Sequence, residues 1–211
     1  MRTSHFAFGS ALVVAMTASA VALANAQDTT SSSFINVGTY AIAVPIGDTH
    51  RFVSPISWFG AGWEGQWRFR DHFAKGLSAS LQDFADMEGG TTTFPSGAVT
   101  GNQAREILMV TAMGTARWYA GNNWGRGLYL GLGAGGEVDE QYYQVGVTPQ
   151  LTRSAFHLIL APEIGVITPV MDGADLVISA RFMVPTNSGS YLGGGSRSFQ
   201  YMVLSFGMAE R

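Results

Sequence analysis

The chain has 211 residues and no cysteine, which sets one domain or at most two and excludes disulfides, thiolate metal sites and thiol nucleophiles. Its formal charge of −3 gives no electrostatic reason to expect a nucleic-acid partner. Only 13% of residues are charged, against about 25% in a typical soluble domain, while 12% are aromatic and 27 are glycine.

Residues 1–26 read as a cleaved secretory signal peptide. Arg2 and His5 make a basic start, Phe6–Ala18 is apolar or small throughout, and Ala24-Asn25-Ala26 is a small-x-small cleavage signal. The apolar stretch is shorter than the ~20 residues of a spanning helix. No cysteine follows the cleavage site to carry a lipid, and residues 27–211, the expected mature domain, hold eleven Lys and Arg against fifteen acids, a net charge of −4.

Eight strands are expected in that domain, at 34–44, 57–70, 73–84, 105–120, 127–138, 152–167, 175–185 and 198–208. The first alternates poorly. The second sets Phe59, Ala61, Trp63, Gly65, Trp67 and Phe69 against Glu64, Gln66, Arg68 and Arg70, a period of two that a helix does not produce. In the fifth, Leu128, Leu130, Leu132 and Ala134 oppose Gly131, Gly133, Gly135 and Glu137. In the sixth, Phe156, Leu158, Leu160, Ile164 and Val166 oppose His157, Ala161, Glu163 and Gly165. The seventh sets Leu176, Ile178, Ala180, Phe182 and Val184 against Ser179 and Arg181. Most of these segments are long enough to cross a bilayer at a tilt, which takes ~9–11 residues. Pro162 removes a ladder donor inside the sixth strand, so a bulge or a division into two shorter strands is expected there.

The connections contain 12, 2, 20, 6, 13, 7 and 12 residues, long and short in alternation. Short periplasmic turns and long extracellular loops give an up-and-down outer-membrane barrel this rhythm, with Asp71-His72, Gly121–Arg126 and Pro169–Ala174 as the turns. Aromatics gather at the strand ends. Trp67, Phe69, Phe73, Trp118, Tyr119, Trp124 and Phe206 lie at the turn side, and Trp58, Phe59, Phe84, Tyr142, Tyr143 and Phe199 at the loop side. Two belts suit two membrane–water interfaces, whereas the alternative is a set of ordinary core aromatics in a soluble β-domain. The expected fold class is all-β, an eight-stranded antiparallel up-and-down transmembrane β-barrel.

The hairpin Gly62-Trp63-Glu64-Gly65-Gln66-Trp67-Arg68-Phe69, with Asp71-His72 at its turn, and the closing strand Phe199-Gln200-Tyr201-Met202-Val203-Leu204-Ser205-Phe206 give the chain its resemblance. From Phe34 to Met208 it resembles the small outer-membrane β-barrel superfamily, the group of the outer-membrane proteins A, X and W. That resemblance implies a Gram-negative outer membrane, surroundings of outer-membrane lipid and lipopolysaccharide, and a closing strand read by the barrel-assembly machinery. Family members usually end on the terminal Phe, whereas here Gly207-Met208-Ala209-Glu210-Arg211 follows it. The superfamily holds structural anchors, adhesins, narrow pores and a few lipid-modifying enzymes, so fold does not fix function.

The inward-facing charged residues are read as Glu64, Arg68, Arg70, Arg117, Glu137, His157, Glu163 and Arg181. Side chains alone can fill an eight-stranded barrel, and buried charges need partners, so the expectation is a salt-bridge plug. Inward glycines of the fifth strand leave room for long arginines from its neighbours. The first alternative is a narrow porin-like conduit for small solutes or ions. The second is a lipid-modifying hydrolase, which needs a Ser, a His and a carboxylate in hydrogen-bond reach. Downstream of the leader there are only His50, His72 and His157, six strand residues or ~20 Å separate His157 from Glu163, and the His-x-Ser arrangement of the lipid A deacylases is absent. No catalytic residue, cofactor or metal site is expected. Ala85–Ala104, with Gly89-Gly90 and Pro95, and the loop at 186–197, with Gly193–Gly195, are candidate sites for an extracellular ligand.

Overall fold

A strand that is apolar on one side and charged on the other must bury one face, and its backbone needs a partner along each edge. A computed structural model of the chain meets both needs by closing the sheet on itself. It describes residues 33–94, 97–121, 124–146, 150–186, 189–190, 196–197 and 199–210, so the expected signal peptide and Gly193–Gly195 lie outside the described residues. The barrel strands are β1 (Phe34–Pro45), β2 (Phe59–Arg70), β3 (Phe73–Phe94), β4 (Gly97–Tyr119), β5 (Gly127–Val145), β6 (Leu151–Met171), β7 (Ala174–Pro185) and β8 (Tyr201–Glu210). Each pairs antiparallel with its sequence neighbours, and β1 closes the ring on β8 from Asn36 opposite Glu210 to Pro45 opposite Tyr201.

The distribution of polarity is inverted relative to a soluble protein. Leu128, Leu130, Leu132, Phe156, Leu158, Leu160 and Ile164 are each about half exposed on the outside, while Glu137, Asp139 and His157 are fully buried on the inside. No described helix is long and apolar enough to cross a membrane, so an apolar exterior of this kind points to strands as the crossing elements.

Several boundaries differ from the sequence expectation. The expected loop 85–104 is a continuation of the β3–β4 hairpin, paired from Ala85 opposite Glu106 to Phe94 opposite Gly97. The expected loop 139–151 is largely taken up by β5 and β6, which are paired out to Tyr143 opposite Leu151. Polarity in the sequence marks where the apolar band ends. Backbone pairing has no need of apolar side chains and carries on beyond it. The alternation of long and short connections is therefore lost as a residue count, although Asp71-His72 and Asp172-Gly173 remain tight turns at one end. Gly173 there adopts φ 82°, a left-handed conformation that favours glycine.

β6 is neither bulged at Pro162 nor divided. The ladder to β7 skips Ala161 and Pro162, and the same register holds on either side, with Leu160 opposite Val184 and Glu163 opposite Arg181. The register shift in this hairpin lies at Pro169–Met171 instead.

At the loop end, a short helix α1 (Asp48–Phe52) between β1 and β2 folds over the mouth. The Ile46 amide and the Thr49 hydroxyl both donate to the Gln200 carbonyl, at 3.0 and 2.7 Å. Phe52 and Val53 are thereby set against Phe84, Ile107, Met109, Phe199 and Tyr201 in an apolar layer across the barrel. At the turn end a second layer contains Ile35, Val37, Tyr119, Trp124, Tyr129, Ile167 and Val177.

Candidate functional site

Between the two apolar layers the interior is polar, and the strand register builds it. Arg117 on β4 stands opposite Gly131 on β5, Gly131 opposite Glu163 on β6, and Glu163 opposite Arg181 on β7, so these four positions form one row. Gly131 is the gap that lets its neighbours meet. A Cβ at that position would lie 3.1 Å from Glu163 Oε2 and 3.3 Å from Arg117 Cγ. Gly165 likewise leaves the space taken by the Tyr129 ring opposite it.

Glu64 completes the group from β2 across the lumen. Arg117 Nη2 lies 2.6 Å from Glu64 Oε2 and 2.9 Å from Glu163 Oε1. Arg181 Nη2 lies 3.1 Å from Glu64 Oε2 and 2.9 Å from Glu163 Oε2. Two carboxylates and two guanidiniums thus alternate in a neutral ring. Thr115 and Gln66 donate to Glu64 Oε1 at 2.9 and 2.8 Å, Tyr129 donates to Glu163 Oε1 at 2.9 Å, and Tyr119 donates to the Gln66 side chain at 2.7 Å. The Arg117 guanidinium also sits 4.2 Å from the Tyr129 ring centroid.

Nearer the loop end lies a second cluster. His157 Nε2 is 2.8 Å from Asp139 Oδ1, and its Nδ1 is 2.9 Å from the Thr186 carbonyl, so both ring nitrogens face oxygen atoms. Gln141 donates to the other Asp139 oxygen at 2.6 Å, and Tyr201 donates to Glu137 across the barrel at 2.5 Å. The Phe199 ring stands edge-on to His157.

Beside the four-membered ring is a cavity of about 40 Å³, lined by Thr39, Glu64, Ser78, Ser80, Gln82, Arg117 and Arg181 among others. A water needs at least ~10–15 Å³ of such space, so there is room for about two or three. Ser78 Oγ and Arg117 Nε and Nη1 are buried without a protein hydrogen-bond partner, and both residues line the cavity.

Of the eight residues read as inward, Glu64, Arg117, Glu163 and Arg181 share the ring, while Glu137 and His157 belong to the second cluster. Arg68 and Arg70 do not join either. Both are exposed at the turn-end mouth, Arg68 paired with Asp71 at 2.7 Å and Arg70 beside Phe69, because β2 ends there in an irregularity between Arg68 and Arg70. The belt assignment also needs correction at five positions. Trp58, Phe59, Trp67, Phe69, Phe73, Trp118 and Phe206 are exposed on the outside, but Phe84, Tyr119, Trp124, Tyr143 and Phe199 are buried in the interior layers. Tyr119 shares the inward parity of Arg117, and Trp124 and Phe199 sit outside the strands, where alternation assigns no face.

Sequence reading missed Tyr129, Asp139, Gln141 and Tyr201. Asp139 and Gln141 continue the inward parity of Glu137, one and three residues past the expected strand end. Of the other histidines, His72 bonds the Gly121 carbonyl of the neighbouring turn at 3.0 Å, and His50 is exposed. Among the described residues no group of three His, Asp or Glu side chains is placed to hold a metal ion.

No protein-family model matches the chain, and no curated protein matches it. Solved structures do. Ail, the attachment invasion locus protein of Yersinia pestis, solved with the heparin analogue sucrose octasulfate, superposes with a TM-score of 0.50 at 11% identity, over 84% of this chain and 96% of that one. Neisserial surface protein A gives 0.48 at 12% identity over 85% and 97%. The N-terminal β-barrel domain of OprF from Pseudomonas aeruginosa gives 0.44 at 12% over 84% and 98%. With its closed ring of eight antiparallel strands, the chain has the fold of the small outer-membrane β-barrels that its sequence resembles.

Proposed function

We propose that this barrel is a non-enzymatic outer-membrane protein with a structural or surface-interaction role, its lumen shut by a polar plug. The observation that carries this reading is the ring of Glu64, Arg117, Glu163 and Arg181, which ties β2, β4, β6 and β7 together at N···O distances of 2.6–3.1 Å. Buried apolar clusters lie toward both ends of the barrel, the loop-end one alongside Asp139, Gln141 and His157, so an ion crossing the barrel would have to pass both clusters as well as the ring. The surface role rests on the β3–β4 hairpin, which carries exposed residues such as Met87 and Thr91 well past the apolar band. Binding of a sulfated ligand by Ail makes polyanionic glycans a sensible first class to screen.

A lipid-modifying hydrolase is disfavoured because Asp139 and the Thr186 carbonyl occupy both nitrogens of His157, leaving neither to take a proton from a nucleophile. Mass analysis of lipid A after co-expression would expose such an activity. The 40 Å³ cavity is the one feature that favours a narrow conduit. Conductance across planar bilayers decides between plug and conduit. Folded protein is expected to leave the bilayer silent, and steady unitary currents would overturn the plug.

A further inference from the structure

On the outer wall at the turn end, the side chains of β2–β4 form an aromatic collar: Trp67, Phe69, Phe73 and Trp118 are each 38–60% exposed. Lys75 stands inside this collar, opposite Trp67 on one side and Ala116 on the other. Arg70 ends β2 opposite Phe73. Arg70 Cζ and Lys75 Nζ each lie 5.6 Å from the centroid of the same ring, Phe69. The adjacent acid, Asp71, is engaged by Arg68. Among the described residues no carboxylate lies within ion-pairing distance of Arg70 or Lys75.

Two cations of like sign sharing one ring repel each other, and the ring face offsets only some of that repulsion. A lysine on the outward face of a membrane-crossing strand also has to snorkel to the headgroup layer. Aromatic collars lie at the depth of lipid headgroups, where the available counter-ion is a phosphate diester. Both side chains are long, and their roots sit on paired neighbouring strands, so their heads can converge on one phosphate from either side of Phe69.

We propose that Arg70 and Lys75, seated around Phe69, form a binding site for the phosphate of an anionic phospholipid in the leaflet at the turn end. The site rests on the reading of this barrel as an outer-membrane protein, whose orientation makes that leaflet the periplasmic one. Net negative charge on the headgroup is what two uncompensated cations select. Phosphatidylglycerol is therefore preferred over zwitterionic phosphatidylethanolamine by about fivefold per cation, or about 25-fold for both.

The test is native mass spectrometry of the full chain, extracted from vesicles of equal amounts of phosphatidylglycerol and phosphatidylethanolamine. The wild type is expected to retain phosphatidylglycerol, each of Arg70→Gln and Lys75→Gln to lose about fivefold, and the double variant to lose the preference. Arg126→Gln, whose charge is already paired with Asp175 at 3.0 Å, should retain it. Equal retention by the double variant and wild type would overturn the proposal, as would equal retention of the two lipids. Displacement of the lipid by inorganic phosphate at matched ionic strength would overturn the lipid assignment in favour of a site for free phosphate. Heat-dependent gel mobility is recorded on every sample. A heat-shifting band without lipid preference fails the site alone, and a band that never shifts fails the membrane-barrel reading beneath it.

Discussion

Arg181 reaches carboxylates from two different strands, and with Arg117 it neutralises both Glu64 and Glu163, which are buried in the interior. Deleting one partner of a buried charge network costs about 3–5 kcal/mol, because the remaining charges stay buried without full compensation. Arg181→Leu is therefore expected to lower the urea midpoint of the folded barrel by a corresponding amount. An unchanged midpoint would mean that the ring contributes nothing to stability. Gly131 offers the opposite perturbation. Gly131→Val adds carbon where a Cβ alone would press on Glu163 Oε2 and Arg117 Cγ, so the ring must shift, at about 1–3 kcal/mol. Equal stability of this variant and wild type would show that the row can widen freely. These residues were readable from the period of two, since polarity alternation assigns a face. It does not assign depth along the barrel. Hence Glu64 and Arg68, on the same face of β2, separate into a buried ring member and an exposed residue at the mouth.

At the scale of elements, the outer half of the β3–β4 hairpin is held differently from the wall below it. β2 accompanies β3 no further than Phe59 opposite Asp83, and β5 accompanies β4 up to Gln103 opposite Val145. Beyond those points the two strands pair with each other, apart from the Gly146 amide, which donates to the Asn102 carbonyl at 2.8 Å. Excising residues 90–101 and joining Gly89 to Asn102, which face each other in register, through an Asn-Gly turn should leave the barrel folded with its urea midpoint unchanged. Failure of the shortened chain to fold would make the hairpin an integral piece of the barrel's core. The sequence placed all eight strands because each membrane-crossing segment needs an apolar outer face. It placed the outer ends of β3, β4 and β5 poorly, because paired backbone in water leaves no polarity signature. Pro162 misled for a related reason: one absent donor implies local damage, yet the unchanged register on either side carries the ladder past it.

For the whole molecule the deciding property is the inverted polarity. Leu128, Leu130, Leu132, Leu158 and Leu160 face outward at about half exposure, and a soluble β-domain would have to cover them with another surface. In lipid they need no cover. The closed ring pairs the backbone of every strand with two neighbours, which leaves detergent no edge from which to open the sheet. The full chain, taken from the outer-membrane fraction in detergent, is therefore expected to run as a compact band when kept cold and as a slower one after boiling. Recovery in a soluble fraction, with one mobility under both conditions, would contradict that expectation. The outward leucines would then have to form an interface, and the ion ring of Glu64, Arg117, Glu163 and Arg181 would be the core of a water-soluble barrel.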